Sequence, residues 1–227
     1  MRRFKLLVFD WDGTLMDSEA RIVGCMQAAA ADLGIDTPAN EAVRNIIGLG
    51  LSEAVEALFP GSDQAFVTTI VERYRYHFLE KSQVESKLFP GADNVVQDLS
   101  RQGYLLAVAT GKGRRGLDKV LAETGLGDYF LATRCADETF SKPHPEMLHQ
   151  VMDELGVFPE ETLMIGDTEY DLQMARNAKT HGLAVSYGVH SVDRLMQHQP
   201  LGCLDRITDL TEWLDNHSAS QPMPQTA

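Results

Sequence analysis

Cysteine is scarce in this chain: three residues in 227, Cys25, Cys135 and Cys203, far apart and in no Cys-x-x-Cys pair. That excludes a disulfide framework and a thiolate zinc cluster, and it suits a reducing compartment. Positive charge is also short. Twenty Lys and Arg against 33 Asp and Glu leave a formal net charge of −13. Non-specific nucleic-acid binding, which needs basic surface to neutralise phosphates, is therefore not expected. An acidic protein can still hold an anion where a few cations or a metal are focused in one cleft. No stretch reaches the roughly 18 apolar residues of a membrane span. The opening Met1–Arg2–Arg3 and its short apolar run imitate a secretory leader faintly, but Asp10 breaks the run and no small-residue cleavage site follows. The expectation is a cytoplasmic protein with no membrane partner.

What is present is an ordinary globular content, 44% apolar, enough for one large domain or one domain carrying a smaller insertion. Apolar, β-rich runs recur at 4–9, 104–110, 129–134, 162–166 and 182–187, with helical patterns between the later ones at 92–102, 114–125, 144–155 and 169–179. Strands alternating with helices predict βαβ units and a parallel sheet covered on both faces. After residue 16 the chain runs to the turn-forming Pro90–Gly91 with helical patterns only, near 17–34, 40–47, 51–59 and 63–82. That is too long for a simple crossover and predicts a helical insertion. The expected division is a core of 1–16 and 89–215, a helical body over 17–88, and a flexible tail at 216–227, which is polar and contains proline.

In an open parallel sheet, ligands bind at the carboxyl ends of the strands. Those ends carry Asp10-x-Asp12-Gly13-Thr14, Thr110-Gly111-Lys112 and Gly166-Asp167-Thr168, with Asp171 a turn later and Ser141-Lys142-Pro143 before the helix at 144. Asp10 and Asp12, two apart, face the same way while the chain is extended. Asp10, Asp12, Asp167 and Asp171 converging would repel unless a counter-ion joined them. All-oxygen ligation suits Mg²⁺ rather than zinc. Thr110 offers a hydroxyl, the N–H groups from Gly111 onward open a helix, and Lys142 adds a fixed positive charge, which together make a phosphate seat. Acidic metal site and phosphate seat describe phosphoryl transfer. One aspartate can attack phosphorus and its neighbour can move the proton. Asp10, at the strand end, is the better-fixed nucleophile and Asp12 the acid/base.

The stretches FDWDGTLMDS, VATGK, SKPHPEML and MIGDTEYDLQMARNA, in that order, resemble the four motifs of the haloacid dehalogenase superfamily, and most of all its phosphoglycolate phosphatase-like members. The resemblance spans the whole chain. It implies an α/β, Rossmann-like core, a helical cap inserted after the first motif, Mg²⁺ and a small phosphorylated metabolite as substrate. Matched position by position, it implies Asp10 as nucleophile, Asp12 as acid/base, and Thr110, Gly111 and Lys142 around the phosphate. The metal would be held by Asp10, Asp167, Asp171 and, through its backbone carbonyl, Asp12. Many relatives carry Asn at the position of Gly111 and Gly at that of Lys179.

A receiver domain also phosphorylates an aspartate but is roughly half this length, and a dehalogenase lacks the second aspartate. A phosphomutase of the same fold shares all four motifs, and a catalytically silent phosphate-binding module is the alternative from another class. GLGLSEA at 48–54 contains Gly-x-Gly with no strand before it and no third glycine, so a loop is expected there rather than a dinucleotide fingerprint. Beside it, Arg44 could either read a second anionic group on the substrate or pair with Glu41 on its own helix. A monomer is the expected state.

Overall fold

Leu6 to Phe9 form β1, a strand buried on both faces; an unbroken apolar run is what a central parallel strand requires. We describe residues 2–218 of a computed structural model. Past β1 the chain turns tightly and pairs Met16–Asp17 (β2) before entering helices Glu19–Asp32 (α1), Asn40–Ile46 (α2), Leu51–Leu58 (α3) and Gln64–Tyr76 (α4). The last of these runs on as one wider turn through Lys81. The chain returns at Lys87–Leu88 (β3), which pairs antiparallel with β2, Met16 opposite Leu88.

From there strands and helices alternate: Ala92–Arg101 (α5), Leu105–Thr110 (β4), Arg114–Thr124 (α6), Ala132–Cys135 (β5), Glu146–Leu155 (α7), Thr162–Gly166 (β6), Glu169–Asn177 (α8) and His181–Val185 (β7). Val192–Met196 (α9), Cys203–Leu204 (β8) and Leu210–His217 (α10) complete the described chain. The six-stranded sheet has the order β5-β4-β1-β6-β7-β8, with every pair parallel. The expected α/β fold with a Rossmann-like parallel sheet is borne out. The short β2–β3 ribbon, β8, α9 and α10 were not anticipated. The tail expected to be flexible at 216–227 lies outside the described residues from 219 on, and Asn216 and His217 belong to α10.

Alternation along β1 sorts the core into two layers. Leu7 and Phe9 face α5, α6 and α10 through Val96, Leu99, Leu117 and Leu210. Leu6 and Val8 face α7 and α8 through Leu148, Val151 and Met174. A third apolar cluster lies within the helical segment, joining Met26, Val43, Val55, Ile70 and Phe78. Because β1 lies between β4 and β6, its carboxyl end is where the chain's path reverses direction across the sheet, the place where such sheets leave a crevice.

Candidate active site

Asp10 follows β1 directly, its amide donating to the Ile165 carbonyl of β6. Trp11 turns the other way and is fully buried against Phe130, so the alternation that buries Trp11 leaves Asp10 and Asp12 on the opposite side. Asp167 and Asp171 come from the end of β6 and the first turn of α8. The oxygens of Asp10, Asp167 and Asp171 lie within 4.8 Å of one another, and all three side chains are inaccessible to solvent. Gly13, at φ +81°, permits this approach: a Cβ there would stand 2.1 Å from Asp167 Oδ2.

The three carboxylates are held differently. Asp167 accepts from Thr14 Oγ1 (2.8 Å) and from the Val189 amide (2.9 Å). Asp171 Oδ2 accepts from the amide and hydroxyl of Thr168 (3.1 and 2.6 Å), closing a capping box at the start of α8. No backbone N–H or hydroxyl donates to either oxygen of Asp10 or to Asp171 Oδ1. Lys142 Nζ stands 2.8 Å from Asp10 Oδ1 and 2.6 Å from Asp171 Oδ1, a buried ion pair with both.

Burial pushes the Asp10 carboxyl well above the ordinary range; Lys142 opposes this, and Asp171 and Asp167 add to it. Burial and Asp171 likewise raise Asp167 to about 7, against the Val189 and Thr14 hydrogen bonds. For Lys142, burial opposes the charge, but Asp10 and Asp171 more than offset it and hold the lysine above its usual range. Three acceptor-only groups share one cation, and two of them favour protonation. Buried carboxylate oxygens converging from Asp10, Asp167 and Asp171 fit a hard divalent cation such as Mg²⁺.

Asp12 is placed apart from this group. Its Oδ1 accepts from Ser18 Oγ and lies 2.8 Å from Lys112 Nζ, and Lys112 in turn sits 4.5 Å from the centre of the Phe78 ring. The Asp12 carboxylate is therefore not one of the clustered oxygens, leaving its backbone carbonyl as the group it could offer a metal.

Thr110, at the end of β4, is fully buried, and Gly111 lies directly under the loop after α2. A Cβ at 111 would meet the Leu49 carbonyl at 2.4 Å and that of Gly48 at 2.7 Å, so no side chain has room here. This loop is tied to the core by Gly50 N–H to Ser141 Oγ (2.7 Å), and the end of α2 before it by Tyr170 Oη to the Asn45 carbonyl (2.8 Å). Between loop and sheet lies a cavity of about 210 Å³ bounded by Asp10, Asp12, Thr110 and Gly111.

Of the two readings of Arg44, the ion pair is the one seen: its guanidinium lies 3.1 Å from Glu19 and 3.7 Å from Glu41. Arg44 is not in the lining of this cavity and borders a separate surface hollow with Asn45 and Arg194. Ile47, in extended backbone just past the end of α2, lines the cavity instead. Lys112, Ser18, Thr14 and Val189 were not anticipated as parts of the site. Lys112 and Ser18 lay inside the quoted motifs; Val189 acts through its backbone amide, which no side-chain pattern reveals.

A family model described as haloacid dehalogenase-like hydrolase matches residues 7–185. The chain is 36% identical over 210 residues to a probable phosphatase IndB of Dickeya dadantii, covering 90% of this chain and 91% of that one. It is 30% identical to a phosphoglycolate phosphatase of Aquifex aeolicus, covering 94% and 98%. A solved structure described as a predicted phosphoglycolate phosphatase from Haemophilus somnus superposes with a TM-score of 0.83 at 25% identity, covering 94% and 99%.

Proposed function

The chain belongs to the haloacid dehalogenase-like hydrolases and is a phosphatase of that family; we propose that it hydrolyses a small phosphomonoester with Mg²⁺ through an aspartyl-phosphate on Asp10. The observation that carries this reading is the Asp10 carboxylate: buried, without a backbone or hydroxyl donor, paired with Lys142 at 2.8 Å and facing two further carboxylates. A carboxylate whose one partner is a lysine keeps an oxygen free to attack.

In the first half-reaction an Asp10 oxygen bonds to phosphorus while the ester oxygen leaves and takes a proton from Asp12. In the second, Asp12 takes a proton from water, whose oxygen displaces Asp10 and releases inorganic phosphate. Thr110 Oγ1 and the Gly111 amide hold the phosphoryl oxygens, and Lys142 offsets their charge together with that of Asp10 and Asp171. Asp10, Asp167, Asp171 and the Asp12 carbonyl would hold Mg²⁺, which supplies neutralisation of phosphoryl charge.

The same reading divides the chain into a core of 1–16 and 89–215 and a cap of 17–88, supported by the separate apolar cluster of the helical segment. Three free cysteines suit the cytoplasm, and no helix among the described residues is long and apolar enough to cross a membrane. The test is turnover of a panel of phosphomonoesters with Mg²⁺. Asp10→Asn should fold and lose at least about a thousandfold in kcat, and the wild type should bind beryllium fluoride at Asp10. Appreciable turnover by folded Asp10→Asn would sink the covalent scheme.

A further inference from the structure

The cavity in front of Asp10 has two unlike halves. On the sheet side it is polar, with Asp10, Asp12, Thr110 and Lys112. The opposite wall comes from the helical segment and includes Ile22, Met26, Ile47, Leu49, Tyr74 and Phe78. That segment contributes one charged side chain to the lining, Arg75, which is exposed. It brings no carboxylate, amide or aliphatic hydroxyl to the wall.

We propose that the alcohol half of the substrate carries a ring-sized apolar group that packs against this wall, a class larger and more apolar than glycolate. This rests on the phosphatase reading above and names the substrate class of the same site. A phosphoryl group seated at Thr110 and Asp10 leaves its ester oxygen directed across the cavity, because the nucleophile approaches from the opposite side in an in-line displacement. The leaving group therefore enters the apolar half. A short carboxylate there would lose water against Ile22, Met26 and Phe78, and the cations on the lining that could meet it, Arg75 and Arg115, are exposed and stay hydrated. A hydrocarbon or aromatic ring would gain by the area it removes from water.

Size agrees. An apolar cavity of roughly 150 Å³ accepts a benzene-sized guest, so about 210 Å³ holds a phosphoryl group and one ring. The wall is also rigid. Tyr74 and Phe78 stack with ring centres 5.6 Å apart, and Arg21 fixes Phe78 by donating to its carbonyl at 2.7 Å. Arg75 and Arg115, both exposed on the cavity lining, have no carboxylate within 4.0 Å among the described residues. They add positive charge where an acidic protein must draw in an anionic ester.

The experiment compares kcat/KM with Mg²⁺ for phosphoglycolate, ethyl phosphate, butyl phosphate and phenethyl phosphate. It also measures their binding to the wild-type protein by calorimetry at several temperatures. The expected order rises with apolar size, phenethyl phosphate exceeding phosphoglycolate by about tenfold or more and binding with a negative heat-capacity change. Leu49→Asn, a half-buried wall position, should cut the phenethyl-to-phosphoglycolate ratio by about tenfold. A flat series, or a preference for phosphoglycolate, overturns this inference and leaves the phosphatase reading standing. If no ester turns over, the phosphatase reading fails; the binding order still decides this proposal, with tighter phosphoglycolate overturning it.

Discussion

Lys112 Nζ stands 2.8 Å from Asp12 Oδ1, so the carboxylate left when Asp12 gives its proton to the leaving oxygen meets a cation at once. The pair is almost fully shielded, with 7% and 11% of the side chains exposed, and Phe78 of the helical segment covers the lysine. Lys112→Met should lower kcat by about ten- to a hundredfold with a small change in KM, and Lys112→Arg should recover part of it. Loss confined to KM would mean that Lys112 only binds substrate.

Stability should respond to pH and metal together. In the metal-free protein Asp167 titrates at about 7 against an ordinary 3.8, and Asp10 is raised in the same direction. Between those values the folded chain holds protons the unfolded chain has released, so stability falls as pH rises. With chelator present, Tm should be lower at about pH 8 than at about pH 5. Mg²⁺ should raise it more at the higher pH, since a bound cation takes the protons' place. Equal Mg²⁺ effects at both values would disprove the site as drawn.

Gly111 should tolerate no side chain. The atoms a Cβ would strike are backbone carbonyls, at 2.4 and 2.7 Å, which cannot swing aside as a side chain can. Gly111→Ala should cost about 1–3 kcal/mol or lift the 48–50 loop, with faster hydrogen exchange at its amides and lower kcat/KM. A variant with unchanged Tm, exchange and activity would show that the loop has slack.

Lys179 adopts φ +60° just past the end of α8, a left-handed conformation that disfavours side chains by about 1–2 kcal/mol. It is exposed, so no contact offsets the strain. Lys179→Gly should raise stability by roughly 0.5–1 kcal/mol, read as a higher urea midpoint at constant slope.

The strands, their parallel pairing and the clustering of Asp10, Asp167 and Asp171 were legible because each depends on local pattern: period two in β1, turn residues at strand ends, four-residue spacing across a helix start. Arg44 shows the limit. Sequence left it between the substrate and Glu41 on its own helix; its contact with Glu19 depends on how α1 packs against α2. The role of Gly111 was hidden for a similar reason. Its partners, Gly48 and Leu49, are far away in the chain and meet it only because the helical segment folds back onto the sheet.

Met16 pairs with Leu88 on the two-stranded ribbon, so the chain leaves the sheet and rejoins it on adjoining rungs. To β1 and its neighbours, everything between those rungs is one closed excursion whose ends never move apart. Its length and composition can drift without altering the register of any strand that carries an aspartate. On the proposed reading the helical segment supplies the wall that meets the alcohol half of the ester. A segment exchanged between relatives at Met16 and Leu88 should then carry its substrate range with it.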